Sequence, residues 1–278
     1  MIRTMTTATN TLGQLQHQID LIGNNLANVS THGYKASEAK FHELLYQQFQ
    51  NDKTDEAPRQ SPLGIRYGSG AMLGQAQVNW KVGGLQSTGR PLDFAFTAPK
   101  QYFNVIMPMD GGTRTVYTRQ GNFYMSPIAD NQVMLVNGDG YPVADQSGNP
   151  ITFSDHVQSY TVKSNGILQL THQNGSMEEI TLGITTIERP NLMEHISSTY
   201  IGFPNNFAQL GIREEEVAIN LQGEQRQMIG LENGALEGSN VNVQKEMTDL
   251  IGVQRSYQLN ARTITLADQM LGLINNIR

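Results

Sequence analysis

Apolar residues near the start of the chain fall on Met5, Ala8, Leu12, Leu15, Ile19, Ile22, Leu26 and Val29, an unbroken alternation of three- and four-residue steps. A 3.5-residue repeat confines the apolar surface of a helix to one narrow stripe, and such a stripe is buried only when another helix lies beside it. The far end of the chain offers that partner. Leu250, Val253, Tyr257, Ile264, Ala267, Leu271 and Ile274 keep the same rhythm, with Asn260 as a polar member of the stripe. Two helical seams therefore bracket everything between them. Pairing inside one molecule and pairing between copies read identically at this level.

The first helix is predicted from about Arg3 to Val29, with a stop written by Ser30-Thr31-His32-Gly33, where Gly33 supplies the left-handed conformation that ends helices. Away from the seam it carries Thr4, Thr6, Thr7, Thr9, Asn10, Thr11, Gln14, Gln16 and Gln18, and Asp20 is the only carboxylate before Glu38. Uncharged polar groups are buried at far lower desolvation cost than ions, which suits a helix enclosed by other helices. The last helix is predicted to begin at Asn242 as N-cap, with Glu246 in its first turn, and to run to the end.

Residues 50–62 change character to Asn51, Asp52, Lys53, Asp55, Glu56, Pro58 and Pro62, a linker without an apolar face. From about Leu63 to Leu236 helical rhythm is absent. Turn signals at Asp110-Gly111-Gly112, Gly121-Asn122, Asn137-Gly138-Asp139-Gly140, Gly148-Asn149-Pro150, Asn165-Gly166 and Asn174-Gly175 separate strand-like runs such as Gln132–Val136 and Ile167–Leu170. The expected fold class is mixed: long N- and C-terminal α-helices pairing as a coiled coil, plus a central antiparallel all-β domain. The expected segments are a helical assembly segment 1–49, a linker 50–62, a β-rich middle domain 63–236 and a helical assembly segment 237–278.

Composition narrows the function. The 38% apolar content supports a packed core, while a net charge of -6 with scattered basic residues leaves no electrostatic footprint for phosphate backbones, so no nucleic-acid partner is expected. The chain has no cysteine, which removes disulfides, thiolate metal sites and a cysteine nucleophile. No cleavable signal is written at the N-terminus and no apolar run approaches the roughly 20 residues of a membrane span, so membrane insertion is not expected.

The search for chemistry is unrewarded. His17, His32, His42, His156, His172 and His195 stand singly, without the spacing that places two ligands on one helical face. Aligning Gly140 with the glycine of a calcium loop puts Leu135 and Gln146 at the terminal ligand positions, so Asn137–Gly140 reads as a turn. Ser37-Glu38-Ala39-Lys40 matches Ser-x-x-Lys without its companion motifs, and Arg213-Glu214-Glu215-Glu216 reads as a solvated face. No catalytic residue, cofactor or metal is assigned, and the chain is not expected to be an enzyme.

The run Asn24-Asn25-Leu26-Ala27-Asn28-Val29-Ser30-Thr31-His32-Gly33-Tyr34-Lys35 closely resembles the motif shared by bacterial flagellar axial proteins, the rod, hook and hook-associated subunits. The stretch Gly238-Ser239-Asn240-Val241-Asn242-Val243, followed by Glu246–Ile251 and Gln254–Tyr257, resembles the closing segment of the same family. Phe41–Gln47 and Tyr117-Thr118-Arg119-Gln120-Gly121-Asn122-Phe123 look most like the basal-body rod branch, and the length is closest to its distal subunit. There is one departure. Where rod proteins show an Asp, an apolar pair and a Gly-x-Gly-Phe-Phe turn, this chain reads Asp93-Phe94-Ala95-Phe96-Thr97-Ala98-Pro99-Lys100-Gln101-Tyr102-Phe103, and the glycines are gone.

The resemblance implies a structural subunit of the flagellar basal-body rod, exported without a cleaved signal peptide and polymerised into a tubular drive shaft for motility. Its implied partners are copies of itself, other rod and hook subunits and the flagellar export apparatus. The expected assembly interface is Met5, Leu12, Leu15, Ile19, Ile22, Leu26, Val29, Leu250, Val253, Tyr257, Ile264, Leu271 and Ile274. The family-motif positions are Asn24, Asn25, Asn28, Thr31, Gly33, Tyr34, Asn240 and Asn242. Two other readings are an envelope-binding β module on an oligomerising helical stalk and another axial, hook-type subunit.

Overall fold

A computed structural model of the chain describes residues 2–44, 46–49, 65–68, 70–109, 112–129, 131–163, 165–173 and 175–276. The predicted linker 50–62 lies outside the described residues. The contacts divide the chain into two compact units: residues 1–27, 37–77 and 242–278 form one, and residues 28–36 and 78–241 the other. These do not follow the four segments read from the sequence, because 28–36 packs with the β-rich part while 37–77 joins the helices.

In the helical unit, α1 (Ile2–Ala27) contacts the 34-residue α3 (Val243–Asn276), about 50 Å long at 1.5 Å per residue. Leu15, Ile22 and Val253 are buried together, with Ile19 and Leu250 packed against them. Burial follows a seven-residue interval. Ala8, Leu15 and Ile22 are the buried apolar positions of α1, while α3 buries Val253 and Ala267 on either side of the half-buried Asn260. Thr6, Thr7, Thr9 and Thr11 turn their hydroxyls back onto carbonyls four residues earlier, at 2.8–3.0 Å.

The N-terminal segment 1–49 is helical only in its first part, the helix ending at Ala27 against the expected stop just after Val29. Beyond Ala27 it turns into extended chain: Phe41–Glu43 pairs antiparallel with Ala71–Leu73, and Tyr46–Phe49 with Ile65–Gly68. The Leu73 amide donates to Oε1 of Gln14 at 2.9 Å, so one of the uncharged polar side chains of α1 satisfies this arm.

The other unit is built on antiparallel sheets. Among the described residues the central sheet has six strands in the order Glu194–His195, Tyr200–Gly202, Gly112–Thr118, Gln101–Met109, Ile184–Ile187 and Ala218–Asn220. Two three-stranded sheets, Tyr124–Ala129 with Gln132–Val136 and Thr152–Ser154, and Val157–Lys163 with Ile167–His172 and Met177–Thr181, complete most of it. A core of aromatic and aliphatic side chains joins Phe94, Phe96, Phe103 and Phe123 to Leu135, Leu168, Leu170 and Ile184. The Phe96 and Phe103 ring centroids are 4.3 Å apart, and Phe103 meets Phe123 edge-on at 5.0 Å. A four-residue helix, α2 (Glu214–Val217), leads into the last strand of the central sheet.

Two local features follow from side-chain chemistry. Asn137 Oδ1 accepts from the Asp139 and Tyr141 amides at 3.1 and 2.8 Å, which makes the Asn-Gly-Asp-Gly run a side-chain-locked turn. The stretch that lacks the family's glycines still turns, and it does so by holding Lys100 at φ +62°, a left-handed conformation that costs an ordinary residue about 1–2 kcal/mol.

Candidate functional site

The predicted interface residues separate into distinct environments. Leu15, Ile22 and Val253 are buried between α1 and α3; Met5, Leu12, Ile19, Leu26, Leu250, Ile264 and Leu271 are half-buried. Tyr257 and Ile274 remain exposed. Val29 is not in the helix at all. Asn28 ends the helical run by engaging Thr31 twice, accepting from its amide and its hydroxyl, each at 3.2 Å, so the chain turns before Val29 can join the stripe.

α3 carries a second apolar row outside the seam. Met247, Ile251, Leu259, Leu266, Met270 and Leu273 lie on the side of α3 turned away from Val253, and all are exposed, Leu259 at 62% and Leu273 at 64%. Steps of 4, 8, 7, 4 and 3 residues keep them on one broad face. The helix is thus apolar on two sides and occupied by α1 on one.

The motif residues act as clamps on backbone. Asn25 is fully buried in the helical unit; its Nδ2 donates to the Ser37 carbonyl at 2.8 Å and its Oδ1 accepts from the Ser37 amide at 3.0 Å, as a neighbouring strand would. It also bonds Glu246, whose carboxyl is pushed above its ordinary range by burial against the opposing pull of Asn25 and of the Lys245 charge. This bond joins the last turn of α1 to the first turn of α3, so the two helices run antiparallel. Asn242 caps α3, its Oδ1 accepting from the Lys245 amide at 3.1 Å. Asn24 is exposed.

In the β-rich unit Asn240 plays the matching part. Its Oδ1 accepts from the Ala36 amide at 2.7 Å, and its Nδ2 donates to the carbonyls of Asn79 and Lys81 at 2.7 and 3.0 Å. Tyr34, two residues before Ala36, is buried. Gly33 does not cap α1. It sits six residues past the helix end at φ +73°, donating to the Glu237 carbonyl at 2.8 Å, and a Cβ there would lie 2.7 Å from the Arg119 carbonyl carbon.

Three buried charges meet at this point. Glu237 accepts from Lys35 Nζ at 2.5 Å and from Arg119 Nε at 2.6 Å, and its Oε1 also accepts from the Gly83 amide at 2.9 Å. Lys35 donates as well to the Lys81 carbonyl at 2.6 Å, and Arg119 to the Gln101 carbonyl at 2.9 Å. The guanidinium lies over the Phe96 and Tyr102 rings, 5.4 and 5.7 Å from their centroids. Burial, reinforced by the Arg119 charge, pulls the Lys35 amine down to about 8 even with Glu237 beside it. Lys35 and Arg119 stand inside two of the motif runs and Glu237 directly precedes Gly238 of the third; the only local signal is at Glu237, a charge set between Leu236 and Gly238.

This is an architecture of clamps. Among the described residues no group of three or more His, Asp or Glu is placed to hold a metal ion, and no helix is long and apolar enough to cross a membrane.

Comparison with known proteins agrees with the geometry. Residues 5–35 match the model of the flagella basal body rod protein family, residues 100–170 that of the flagellar hook protein FlgE/F/G D1 domain, and residues 232–277 that of the flagellar basal body rod FlgEFG protein C-terminal region. The chain belongs to the flagellar basal-body rod and hook protein family. It is 43% identical to the flagellar hook-basal body complex protein FlhP of Bacillus subtilis over 284 residues, covering all of both chains. It is 30% identical to the flagellar basal-body rod protein FlgG of the same organism, again over all of both chains. FlgG of Borreliella burgdorferi is 32% identical over 280 residues, all of this chain and 99% of that one.

Proposed function

We propose that the chain is a structural, non-enzymatic subunit of the flagellar basal body that polymerises with copies of itself and with other rod and hook subunits, after passage through the flagellar export apparatus. In this reading the seams of α1 and α3 pair within one subunit as an antiparallel coiled coil. The outer face of α3 then packs on neighbours to build the wall of the tube. The seven-residue interval of Ala8, Leu15 and Ile22 supports the first part.

The observation that carries the second is the exposed row Met247, Ile251, Leu259, Leu266, Met270 and Leu273. Each such side chain contributes about 1.5–3 kcal/mol on full burial. Even after large deductions for side-chain ordering, six per subunit, repeated along a polymer, is a substantial driving force. The uncharged Thr and Gln surface of α1 lowers the desolvation cost of enclosing the helix pair.

The test replaces Leu259 and Leu266 with Asp. The isolated variant should keep its helical content and thermal transition, while electron microscopy of basal bodies from cells carrying it should show the structure halted where this subunit enters. Normal basal bodies would overturn the reading. Asp at Leu15 or Ile22 is a poorer test, because it would first unseat α1 from α3.

A further inference from the structure

One face of the central sheet of the β-rich unit is apolar, and the other carries a polar patch beside the buried cluster of Tyr102, Ile187, Ile201 and Phe207. Strands alternate their side chains between faces. Phe103, Val105 and Ile184 are fully buried on one side, whereas Asn104, Thr115, Tyr117, Thr185 and Asn220 stand on the other, in register through the Tyr117–Asn104 and Thr185–Asn220 cross-strand pairs. Those five side chains floor a cavity of about 760 Å³, within the roughly 300–1,000 Å³ range of small-molecule sites.

We infer that this cleft binds a neutral, polyhydroxylated oligosaccharide. The lining is dominated by amides and hydroxyls, the groups that donate to and accept from sugar hydroxyls in turn. One acceptor is already committed to burial without a partner among the described residues. Asn220 donates through Nδ2 to the Gln146 carbonyl at 3.2 Å, but its Oδ1 is buried with no hydrogen bond. Leaving such a group unpaired costs about 1–3 kcal/mol, and a turn of the Asn220 amide toward the cleft would let a ligand hydroxyl donate to it. The Tyr117 hydroxyl, pushed up to about 12 by burial and then by the Glu214 charge, stays a donor at neutral pH.

Apolar contact is provided too. Phe203 and Phe207 line the cavity with ring centroids 4.7 Å apart, and Phe203 meets Tyr117 edge-on at 6.0 Å, a ring surface suited to the C–H face of a pyranose. Formal charge is balanced between Arg114 and Glu214, and Arg114 already donates to Asn205 Oδ1 at 3.0 Å, which disfavours a phosphorylated or strongly anionic ligand. An extended peptide gains little here. The floor is a sheet face whose backbone groups are paired within the sheet, so strand addition is not on offer.

The experiment titrates the full-length chain with N-acetylglucosamine tetramer and, separately, with a glucose tetramer, read by calorimetry and by amide chemical shifts. At least one should bind with a dissociation constant of about 10 μM to 1 mM. Gln222→Ala, at an exposed residue lining the cleft, and Phe203→Ala should each weaken that binding at least fivefold while leaving the thermal transition within a few degrees of the parent. A preference for the acetylated tetramer points to an amino-sugar polymer as the source, and a preference for the other to a hexose polymer. Failure of both sugars at about 10 mM, or equal binding by the variants, overturns the inference. Loss of self-association in the variants without any sugar binding also overturns it, and gives the cleft to a protein segment.

Discussion

Arg119 and Glu237, 118 residues apart in sequence, meet through a 2.6 Å bond from Nε to the carboxylate with both side chains sealed from water. Lys35 reaches the other oxygen of the same carboxylate at 2.5 Å, so two cations share one anion. That imbalance ranks the substitutions. Glu237→Gln strands two buried cations and should cost about 3–5 kcal/mol, whereas Lys35→Met leaves a neutral Arg119–Glu237 pair and should cost about 1–2 kcal/mol. Urea midpoints followed through Trp80, the single tryptophan, would give the order directly.

The Lys35 amine should titrate near 8 in the folded protein, against the ordinary value of 10.5. Burial comes first among the causes and the Arg119 charge second. Because the unfolded chain binds the proton more tightly, this group adds to stability as pH climbs from about 8 to 10.5 and adds nothing to the pH dependence below. Lysine side-chain NMR should find one amine titrating well below the others, and that signal should vanish in Lys35→Met.

Gly33→Ala should destabilise the β-rich unit by at least about 2 kcal/mol, since it combines a strained φ of +73° with a contact of 2.7 Å to the Arg119 backbone. Gly13→Ala is the matched control: nothing lies within 4 Å of its added carbon in α1, and helix propensity predicts a gain of about 0.5–1 kcal/mol. Thermal transitions of the two variants should move in opposite directions.

Lys100 at φ +62° gives a further test. Its ion pair with Glu188, 3.3 Å long and exposed, is worth about 0–1 kcal/mol. Asparagine tolerates the left-handed region well, so Lys100→Asn should be neutral to stabilising by about 0.5 kcal/mol, and a β-branched Lys100→Val should lose 1 kcal/mol or more. Equal stability of the two would show that the turn relaxes.

The helices could be read because burial at Ala8, Leu15 and Ile22 repeats the period written in the chain, and the β-rich character because turn residues punctuate it. Other features were hidden for physical reasons. The apolar rhythm continues to Val29, but the helix stops at Ala27, where the Thr31 amide closes a turn on the Asn28 carbonyl and the Thr31 hydroxyl donates to the Asn28 side chain. The second row on α3 follows no strict heptad, so periodicity alone does not reveal it. Lys35, Arg119 and Glu237 come from three distant runs, and a network closed by tertiary folding leaves no local spacing to detect. Glu214 reads as a solvated charge in sequence, yet it borders the sugar-sized cleft, because which strand face it neighbours is decided only when residues 104, 185 and 220 are brought together.

The bond between Lys35 and Glu237 spans 202 positions. Closing so long a loop is entropically slow. The cluster of Lys35, Arg119 and Glu237 therefore stays incomplete until all but the final 41 residues of the chain have been made, and the two cations wait on a carboxylate written near the far end.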